Sequence, residues 1–590
     1  MSSESCQLPH LTEEEKKKQD EQKEREKQLR LLQLGMEQVG FFKGKKIPVY
    51  TPGELEYEKS VANANLLYRF DRPACVVQPE HESHVRIIVQ RAKEKGLPIR
   101  VKNGGHSYAG FSSINNGISI DLVNMKRVDL DTEKMTITMD AGALWAHAYH
   151  ELINDHHDGL VINGGRCPSV GVSGFTLGGG LGPFTRSFGL GSDTLLEARI
   201  VTPDHGAIQI TRDDTDPERK KLFWALCGAG GNNFGVVTQL KMQVQKLHHK
   251  DVVAGVYTWS PLPESQEKFK ASMVRFYTAD WSNEMTIDSS WLMDLKDARE
   301  DPSVRFLVYY NGPETQFDKE IDLHLGNCVK ARKEKKSLPE QLKDRTLQEK
   351  STRFLHETLV AQWSEETQKA LPSNAMFRIY TSFSFTKKSE EDISKIIEVL
   401  TDQLIAFKEQ FKGEEGSIRV SWIHSGGKSN EKGPSDSAYP WRGCVYHTYI
   451  MIEWKEKWLE KSMREFLAGF NEKLRGQSMD GLGVYVNFPD ETLDKNTYEK
   501  AYYGNNREEL QEIKAYWDRK NIFGWPHGVQ VGPHIGEASV MAFASPPPPP
   551  SHQPACKGFV NPVDMTDKFA SNGWSTHKAD IESPLAGLGV

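Results

Sequence analysis

Two glycine-rich stretches dominate the interpretation of this chain: NGGHSYAG at residues 103–110 and GGRCPSVG at residues 164–171. Each places one nucleophilic side chain, the imidazole of His106 or the thiol of Cys167, among glycines. Glycine lets the backbone turn sharply and approach a bulky planar or phosphorylated ligand closely. A third glycine cluster, GGGLG, follows at residues 178–182. Together the three stretches predict a cofactor that is held at both ends.

Neither anchor stretch supports that prediction by itself. A single histidine in a glycine loop usually makes only a hydrogen bond, and a single cysteine is usually a small buried hydrophobe. The cluster at 178–182 is not a P-loop, because no Gly-Lys-Ser/Thr follows, and it is not a dinucleotide fingerprint with a downstream ribose acid. The joint occurrence of both stretches inside a longer pattern is what favours cofactor attachment.

These stretches resemble the double flavin anchor of the berberine bridge enzyme-like oxidoreductases, a branch of the vanillyl-alcohol oxidase, or PCMH-type, flavoprotein superfamily. The resemblance runs from about Asp71 to Pro526, with a weaker middle, and includes segments near the C-terminus at 485–490 and 502–506. In that family the histidine bonds the 8α-methyl group of FAD, and the cysteine bonds C6 of the same ring. The resemblance therefore implies FAD attached covalently through both His106 and Cys167.

Further contacts to FAD are expected around the two anchors. The loop from Lys102 to Tyr108 offers successive backbone N–H groups to an anionic pyrophosphate. The adenine end is expected near residues 230–237, and Asn487 is expected to hydrogen-bond the flavin. No metal is expected, because the seven cysteines show no metal-ligand spacing. The expected cofactor residues are His106, Cys167, Lys102, Asn103, Gly104, Gly105, Ser107, Gly171, Gly174, Gly178, Gly179, Gly182, Gly235, Val237 and Asn487.

The resemblance implies hydride transfer from the substrate to flavin N5, which also needs a base for the substrate hydroxyl, amine or phenol. Relatives often use the last tyrosine of a Y-x-N-Y motif, where this chain has Phe488. Tyr485 opens the motif, but strand alternation predicts that it faces away from Phe488. Glu431 matches a family glutamate, and a carboxylate near the apolar Phe488 would be partly desolvated, which suits a base. We therefore expect Glu431 to be the base.

Other side chains remain candidates for the catalytic base. Lys428 and Lys432 would equally make Glu431 a solvated surface ion pair. An ordinary role in a sheet is the alternative for each of the other candidates. These further candidates, on the predicted cavity strands, are Tyr449, Tyr380, His447 and Glu453.

Val170 occupies the position that lies beside the oxygen-reacting face of the flavin in this family. A small β-branched side chain there resembles the oxidases, whereas a bulkier leucine resembles the dehydrogenases. The resemblance therefore implies fast reoxidation by O2, with H2O2 as the product.

The strand and helix patterns predict an α+β fold. From Pro73 to about Val244, strand-like and helical runs form a nucleotide-binding domain. From about His248 to Asp480, alternating polarity predicts an antiparallel sheet with one face on helices and one facing a cavity. By resemblance, a PCMH-type FAD domain is built from N- and C-terminal segments around a central substrate domain. The expected division is 1–70 (charged helix and lead-in), 71–247 (FAD domain), 248–480 (substrate domain), 481–530 (closing FAD segment) and 531–590 (spacer and tail).

Both termini carry patterns outside this resemblance. A capping box at Thr12–Glu15 predicts a helix that continues to about Leu34. Its charged first half indicates a solvated helix, with a coiled-coil partner as the alternative. Five prolines at 546–550 predict an extended polyproline II spacer, with a ligand for a proline-recognising module as the alternative.

Composition narrows the class of protein. A net charge of −7 over 590 residues gives no argument for nucleic acid or an anionic membrane. No apolar run reaches the roughly 18 residues of a transmembrane helix. The sequence begins without an apolar signal core, so a reducing, cytoplasmic location is expected.

The expected function is an FAD-dependent oxidase acting on a bulky alcohol, phenolic or polycyclic secondary metabolite. The expected partners are this small molecule and O2. One alternative is a sugar or oligosaccharide oxidase that acts at the anomeric hydroxyl; the missing signal segment favours the metabolite. Because Phe488 replaces the usual tyrosine, a flavin-loaded binding protein without turnover is the second alternative.

Overall fold

The structure, a computed structural model, describes residues 22, 25, 37–262, 265–299, 301–326 and 336–532. Most of the helix expected over residues 12–34 and the whole proline-rich segment lie outside these residues. Those two expectations therefore stay predictions.

Strands and helices alternate along the described chain. The strands are β1 (Val49–Tyr50), β2 (Cys75–Val77), β3 (Ile99–Lys102), β4 (Ile118–Asp121), β5 (Val128–Asp131), β6 (Thr136–Asp140), β7 (Leu160–Ile162), β8 (Leu195–Thr202), β9 (Gly206–Thr211), β10 (Val236–Lys246), β11 (Asp251–Trp259), β12 (Met285–Asp294), β13 (Ser303–Tyr310), β14 (Thr346–Lys350), β15 (Phe377–Phe385), β16 (Gly416–His424) and β17 (Tyr446–Trp454). The helices are α1 (37–44), α2 (Leu55–Val61), α3 (Glu82–Lys95), α4 (Trp145–Asn154), α5 (Val172–Leu177), α6 (Thr185–Phe188), α7 (Pro217–Leu226), α8 (Gln266–Thr278), α9 (Glu314–Leu325), α10 (Leu338–Asp344), α11 (Ser351–Arg353), α12 (Leu359–Gln362), α13 (Ser364–Lys369), α14 (Glu390–Gln410), α15 (Glu460–Arg475), α16 (Tyr498–Tyr503) and α17 (Arg507–Trp517).

Helix α3 shows how the sequence forms such elements. Val85, Ile88, Val89 and Ala92 recur at helical spacing and are all buried, so one face of the helix packs on the core. Gly96 ends the helix with φ 63°, a left-handed conformation that glycine adopts without a Cβ penalty.

Two sheets form the first half of the described chain. One has the strand order β1-β2-β4-β3, in which β2, β4 and β3 run parallel. The other has the order β5-β6-β10-β8-β9, with β7 beside β10. The loop after β3 carries His106 and the loop after β7 carries Cys167. Both glycine-rich stretches therefore begin just after the end of a β-strand.

A seven-stranded antiparallel sheet occupies the middle of the chain, in the order β14-β11-β13-β12-β16-β17-β15. Ile450 and Ile452 of β17 pack in one hydrophobic cluster with residues of α8, α14 and α15. Tyr449 and Met451, which alternate with them, pack in a separate cluster on the opposite face. The sheet thus has the helix-backed face and the cavity face that its alternating polarity predicts.

The C-terminal segment returns to the first core. Tyr503, Leu510 and Ile513 of α16 and α17 share one hydrophobic cluster with strands of the first two sheets. The N–H of Ile99 also donates a hydrogen bond of 3.2 Å to the carbonyl of Ile522. Segments from both ends of the chain therefore build this core, while the expected domain limits stay predictions.

The longest described helix, α14, is amphipathic: it buries Ile393, Ile396, Ile397, Leu400 and Leu404 and carries charged residues on its other face. Within the described ranges, none of the helices combines the length and apolar character needed to cross a membrane.

Candidate active site

A cavity of about 300 Å³ lies between the two glycine-rich loops and the open face of the seven-stranded sheet. His106 and Cys167 line it from the loops, and Ile423, Tyr380 and Tyr449 line it from the sheet. The fold therefore brings both expected anchors to one cavity. The other expected residues that line it are Asn103, Gly104, Gly105, Ser107, Val170, Gly171, Gly174 and Asn487.

One hydroxyl group joins the two anchors. The Oγ of Ser169 lies 3.0 Å from Nε2 of His106 and 3.2 Å from Sγ of Cys167. Burial lowers the pKa of His106 to about 4, although the nearby carboxylate of Glu366 opposes that shift. Its imidazole is therefore neutral at neutral pH and keeps a nucleophilic lone pair. Thr367 of α13 makes a second contact to the thiol, at 3.4 Å.

Glycines bring the two loops together where side chains would not fit. A Cβ on Gly104 would lie 2.7 Å from the backbone nitrogen of Gly171, so the loops touch at backbone distance. Gly105 has φ 70°, which favours glycine. Gly174 lines the cavity and has no atom within 4 Å of the position that a Cβ would take. These bare walls fit a flat ring such as that of FAD.

Asn487 is fixed at the edge of the cavity. Its Nδ2 donates to the carbonyl of Phe175 at 3.0 Å and to the hydroxyl of Tyr485 at 3.1 Å. A Cβ on Gly178 would lie 2.2 Å from the amide oxygen of Asn487. Gly178 thus makes room for Asn487 behind the cavity, and the expectation that it contacts the cofactor is corrected.

Four more residues that were expected to contact the cofactor also lie outside this cavity, because they are packed into the surrounding backbone. Gly179 has φ 118°, and a Cβ on Gly182 would lie 2.1 Å from the carbonyl oxygen of Gly164. A Cβ on Gly235 would lie 2.4 Å from the carbonyl of Val201, and Val237 is buried in β10. These residues shape the surrounding backbone. Gly230, Gly231 and Asn232 line the cavity instead.

Lys102 is turned away from the main cavity. It lines a neighbouring cavity of about 210 Å³, which shares the loop from Gly104 to Tyr108 as a wall. Its Nζ donates to the carbonyl of Ser60 at 2.6 Å and lies 3.7 Å from Asp121. The ammonium group is therefore tied to the protein on the far side of the anchor loop.

The segment from Tyr485 to Phe488 is a turn, which corrects the expected strand. The N–H of Phe488 donates to the carbonyl of Tyr485 at 2.8 Å, so the chain reverses within four residues. The two rings lie 5.1 Å apart in an edge-on contact, and both line the cavity. Alternation does not apply to a turn, so Tyr485 does not face away from Phe488.

Glu431 is on the surface, which corrects its expected role as the base. Its side chain is 59% exposed and pairs with Lys428 at 2.7 Å, and it does not line the cavity. It follows a short 3-10 turn, residues 427–430, that carries it outward. The alternative of a solvated ion pair is therefore the correct one.

Two other sequence candidates are occupied elsewhere. His447 is buried outside the cavity lining, where its Nε2 lies 2.8 Å from the hydroxyl of Tyr439, and burial lowers its pKa to about 3. Glu453 pairs with Arg378 at 2.8 Å and Lys369 at 3.5 Å. Neither side chain reaches the cavity.

Besides Tyr485, three tyrosines line the cavity, and their hydroxyls have different neighbours. Tyr380 donates to the sulfur of Met451 at 2.8 Å. The side chains of Arg419 and Ser421 instead favour the ionised form of the Tyr449 hydroxyl. Burial and the carboxylate of Glu366 raise the pKa of Tyr449 to about 12, and Arg419 opposes that shift. Among the expected candidates, Tyr449 is thus the one whose phenolate would have a cationic partner.

Glu366 of α13 is a cavity residue that the sequence analysis missed. Tyr108, the third tyrosine, donates to its carboxylate at 3.2 Å. Burial opposes its ionisation, but Arg419 and Lys369 outweigh burial and lower the pKa of Glu366 to about 2. The residue belongs to the weakly patterned middle of the chain, and nothing in the local sequence marks it as different from other helical glutamates.

A separate group of possible metal ligands lies at the start of α3. Glu80, His81 and His84 each place one ligand atom within 4.8 Å of the others. The two imidazole rings are 3.7 Å apart between centroids. This group does not line the cavity.

Comparison with known proteins agrees with this geometry. The family described as "FAD binding domain" matches residues 73–211, and "Berberine and berberine like" matches residues 484–530. An uncharacterized FAD-linked oxidoreductase, YgaK, of Bacillus subtilis is 26% identical over 82% of this chain and 96% of its own length. Tetrahydroberberine oxidase of Argemone mexicana is 26% identical over 81% of this chain and 87% of its own.

Solved structures share the fold. A chitooligosaccharide oxidase superposes with a TM-score of 0.69 at 20% identity, covering 83% of this chain and 98% of its own. A berberine bridge enzyme G164A variant, described as a reticuline dehydrogenase, gives 0.67 at 18% identity, covering 82% and 96%. These structures confirm the expected α+β fold of PCMH type, and the two matching family models confirm the expected FAD cofactor and the resemblance to berberine bridge enzyme-like proteins.

Proposed function

We propose that this chain, an FAD-linked oxidoreductase related to the berberine bridge enzyme-like proteins, is an oxidase of bulky aromatic or polycyclic alcohols and phenols. We further propose that His106 and Cys167 hold its FAD covalently at two positions of the flavin ring and that O2 is the final electron acceptor.

The shared contact of His106 and Cys167 with Ser169, inside one cavity, carries the proposal. Two nucleophiles that both contact one hydroxyl can reach two positions on one ring, and the glycine walls leave room for that ring. Bound there, FAD supplies a hydride acceptor and passes electrons to O2. Double attachment lets the site stay open to a bulky substrate without losing the cofactor.

Tyr449 is proposed as the proton acceptor. Its hydroxyl lies on the cavity face of β17, and Arg419 is positioned to stabilise the phenolate that forms when the substrate proton has been lost. Glu365 and Glu366 hold the guanidinium of Arg419, the first at 2.6 Å. Tyr380 has no such cationic partner at its hydroxyl, because it donates to a thioether.

The side chains around the cavity favour an aromatic substrate. Tyr108 and Tyr380 are stacked at 4.8 Å, and Tyr449 packs on Phe488 at 5.0 Å. The hydroxyls of Tyr108 and Tyr380 are already committed to protein acceptors, so these residues offer ring faces more than free donors. Aromatic faces favour offset stacking with planar rings.

A sugar oxidase is the second candidate, because a chitooligosaccharide oxidase shares the fold at a TM-score of 0.69. Rapid-mixing measurements of flavin reduction without oxygen separate the candidates. We expect bleaching of the flavin absorbance by phenolic or polycyclic alcohols, and one equivalent of H2O2 per substrate once air is admitted. Reduction by sugars alone would establish the second candidate, and no reduction by any member of a broad panel would favour a flavin-loaded binding protein.

A further inference from the structure

We propose that Ser169 is the hydroxyl through which both anchor residues lose their protons while the flavin becomes attached. This inference rests on the covalent attachment proposed above. The Oγ of Ser169 lies 3.0 Å from Nε2 of His106 and 3.2 Å from Sγ of Cys167. The hydroxyl is therefore in hydrogen-bond contact with both reacting side chains.

The backbone fixes the position of this hydroxyl. The N–H of Val170 donates to the carbonyl of Cys167 at 3.1 Å, which closes the turn that contains Ser169. The carbonyl of Pro168 accepts a bond of 2.8 Å from the N–H of Ala146 in α4. A hydroxyl held on such a turn keeps both contacts without ordering a long side chain.

The first attachment uses the imidazole. A neutral imidazole has one N–H, and hydrogen bonding at one ring nitrogen determines which nitrogen keeps the lone pair. When Nε2 of His106 donates to Ser169, Nδ1 is the nitrogen that bonds to the methyl carbon of the flavin. One methyl C–H bond breaks, and the Nε2 proton leaves through Ser169. The flavin gains two electrons and two protons, which O2 then removes as H2O2.

The second attachment uses the thiol of Cys167, and in it the hydrogen bond between Ser169 and His106 has the opposite direction. Once Nδ1 of His106 carries carbon, Nε2 has no proton and only accepts. The Ser169 hydroxyl then passes its proton to Nε2 while its oxygen takes the thiol proton of Cys167, which leaves a thiolate. The thiolate is the nucleophile, so this transfer prepares the sulfur. The C–S bond replaces one ring C–H bond, and the flavin again gains two electrons and two protons, which O2 removes as H2O2.

The chain offers a matched control. Thr367 Oγ1 lies 3.4 Å from the same sulfur, and its described hydrogen bond is to the sulfur alone. Removing the Thr367 hydroxyl therefore perturbs the Cys167 attachment without removing a partner of His106. Removing the Ser169 hydroxyl perturbs both attachments.

The test follows covalent incorporation rather than turnover. Apoprotein of the full chain, made in riboflavin-starved cells, is mixed with FAD in air, stopped with acid at timed points and digested with trypsin. His106 falls in the tryptic peptide 103–126, and Cys167 falls in the peptide 167–186. Mass spectrometry then measures each attachment separately, and doubly attached FAD joins the two peptides. FAD that is retained on gel filtration before the acid step reports intact folding and binding.

We expect Ser169→Ala to slow attachment at both residues by about 10- to 100-fold, because the variant lacks a hydrogen bond to a group that becomes charged during the reaction. Ser169→Thr should restore both rates, and Thr367→Val should affect Cys167 alone. In the parent, the His106 attachment should precede the Cys167 attachment. Parent-like rates in Ser169→Ala, slowing at Cys167 only, or Ser169→Thr behaving like Ser169→Ala would each overturn the inference. A parent chain without any covalent FAD would instead refute the proposed attachment.

Discussion

Arg419 on β16 favours the ionised form of the Tyr449 hydroxyl on the neighbouring strand β17, whereas burial and the carboxylate of Glu366 raise the pKa of that hydroxyl to about 12. A cation in that place favours the phenolate and opposes the effect of burial. Tyr449→Phe should therefore slow flavin reduction by about 10²- to 10⁴-fold, the range for the loss of a general base. Stopped-flow absorbance without oxygen measures this rate.

Tyr380→Phe is the matched control, because the Tyr380 hydroxyl also faces this cavity region but donates to Met451. We expect at most a severalfold change in its rate of reduction. The pKa of Tyr449 is raised to about 12, so the parent rate should increase with pH above neutrality and Tyr449→Phe should lose that slope. Equal losses in the two variants would show that the base lies elsewhere.

Glu431→Gln should leave flavin reduction unchanged. The carboxylate is 59% exposed and paired with Lys428, and exposed pairs contribute about 0–1 kcal/mol to stability. The free energy of unfolding should therefore also stay within about 1 kcal/mol of the parent value. A hundredfold loss in the rate of reduction would restore Glu431 as the base and contradict the surface position described here.

Val170→Leu should slow reoxidation of the reduced flavin by O2 while sparing its reduction by substrate. Val170 lines the cavity three residues after Cys167, so its side chain stands beside the attached ring in the proposed complex. A longer side chain there would fill space that O2 needs. The two half-reactions are measured separately by rapid mixing, and equal changes in both would indicate that Val170 only packs the core.

Glu366 should make the protein acid-sensitive. Its pKa is lowered to about 2 in the folded state, so its ionised form stabilises the fold above the unfolded value near 4.5. That contribution is lost as pH falls from about 4.5 towards 2, when the carboxylate takes up a proton. The melting temperature of Glu366→Gln should lie well below that of the parent at pH 7, because Arg419 loses a buried partner. The gap should narrow below pH 4, whereas a gap independent of pH would contradict this assignment.

The sequence was sufficient to predict the site where one short pattern determined both the local structure and the chemistry. The loops around His106 and Cys167 need glycine at positions such as Gly104, where a Cβ would meet backbone at 2.7 Å. That steric requirement is visible as glycine in the sequence, and the structure brings the two loops to one cavity. The alternation of Tyr449 with Ile450 likewise indicated a two-faced sheet.

The sequence was insufficient to predict the position of a residue where a turn of the chain or contacts between distant residues determine that position. The segment from Tyr485 to Phe488 reads as a strand by residue type, yet a single hydrogen bond closes it into a turn. Glu366 acquires its role from Arg419, which lies 53 residues away in the chain. Gly235 and Val237 sit in a motif beside the cavity, but β-sheet packing takes them out of it. None of these contacts leaves a local signature.

Attachment of one FAD through both His106 and Cys167 underlies the proposed function and the role of Ser169. Precipitation of the purified parent chain with acid, followed by trypsin and mass spectrometry, tests it most directly. We predict a yellow precipitate and a single species in which FAD joins peptides 103–126 and 167–186. His106→Ala and Cys167→Ala should each leave FAD on one peptide, and the double variant should release it. FAD that is freely extracted from the parent chain into the acid supernatant would contradict the account.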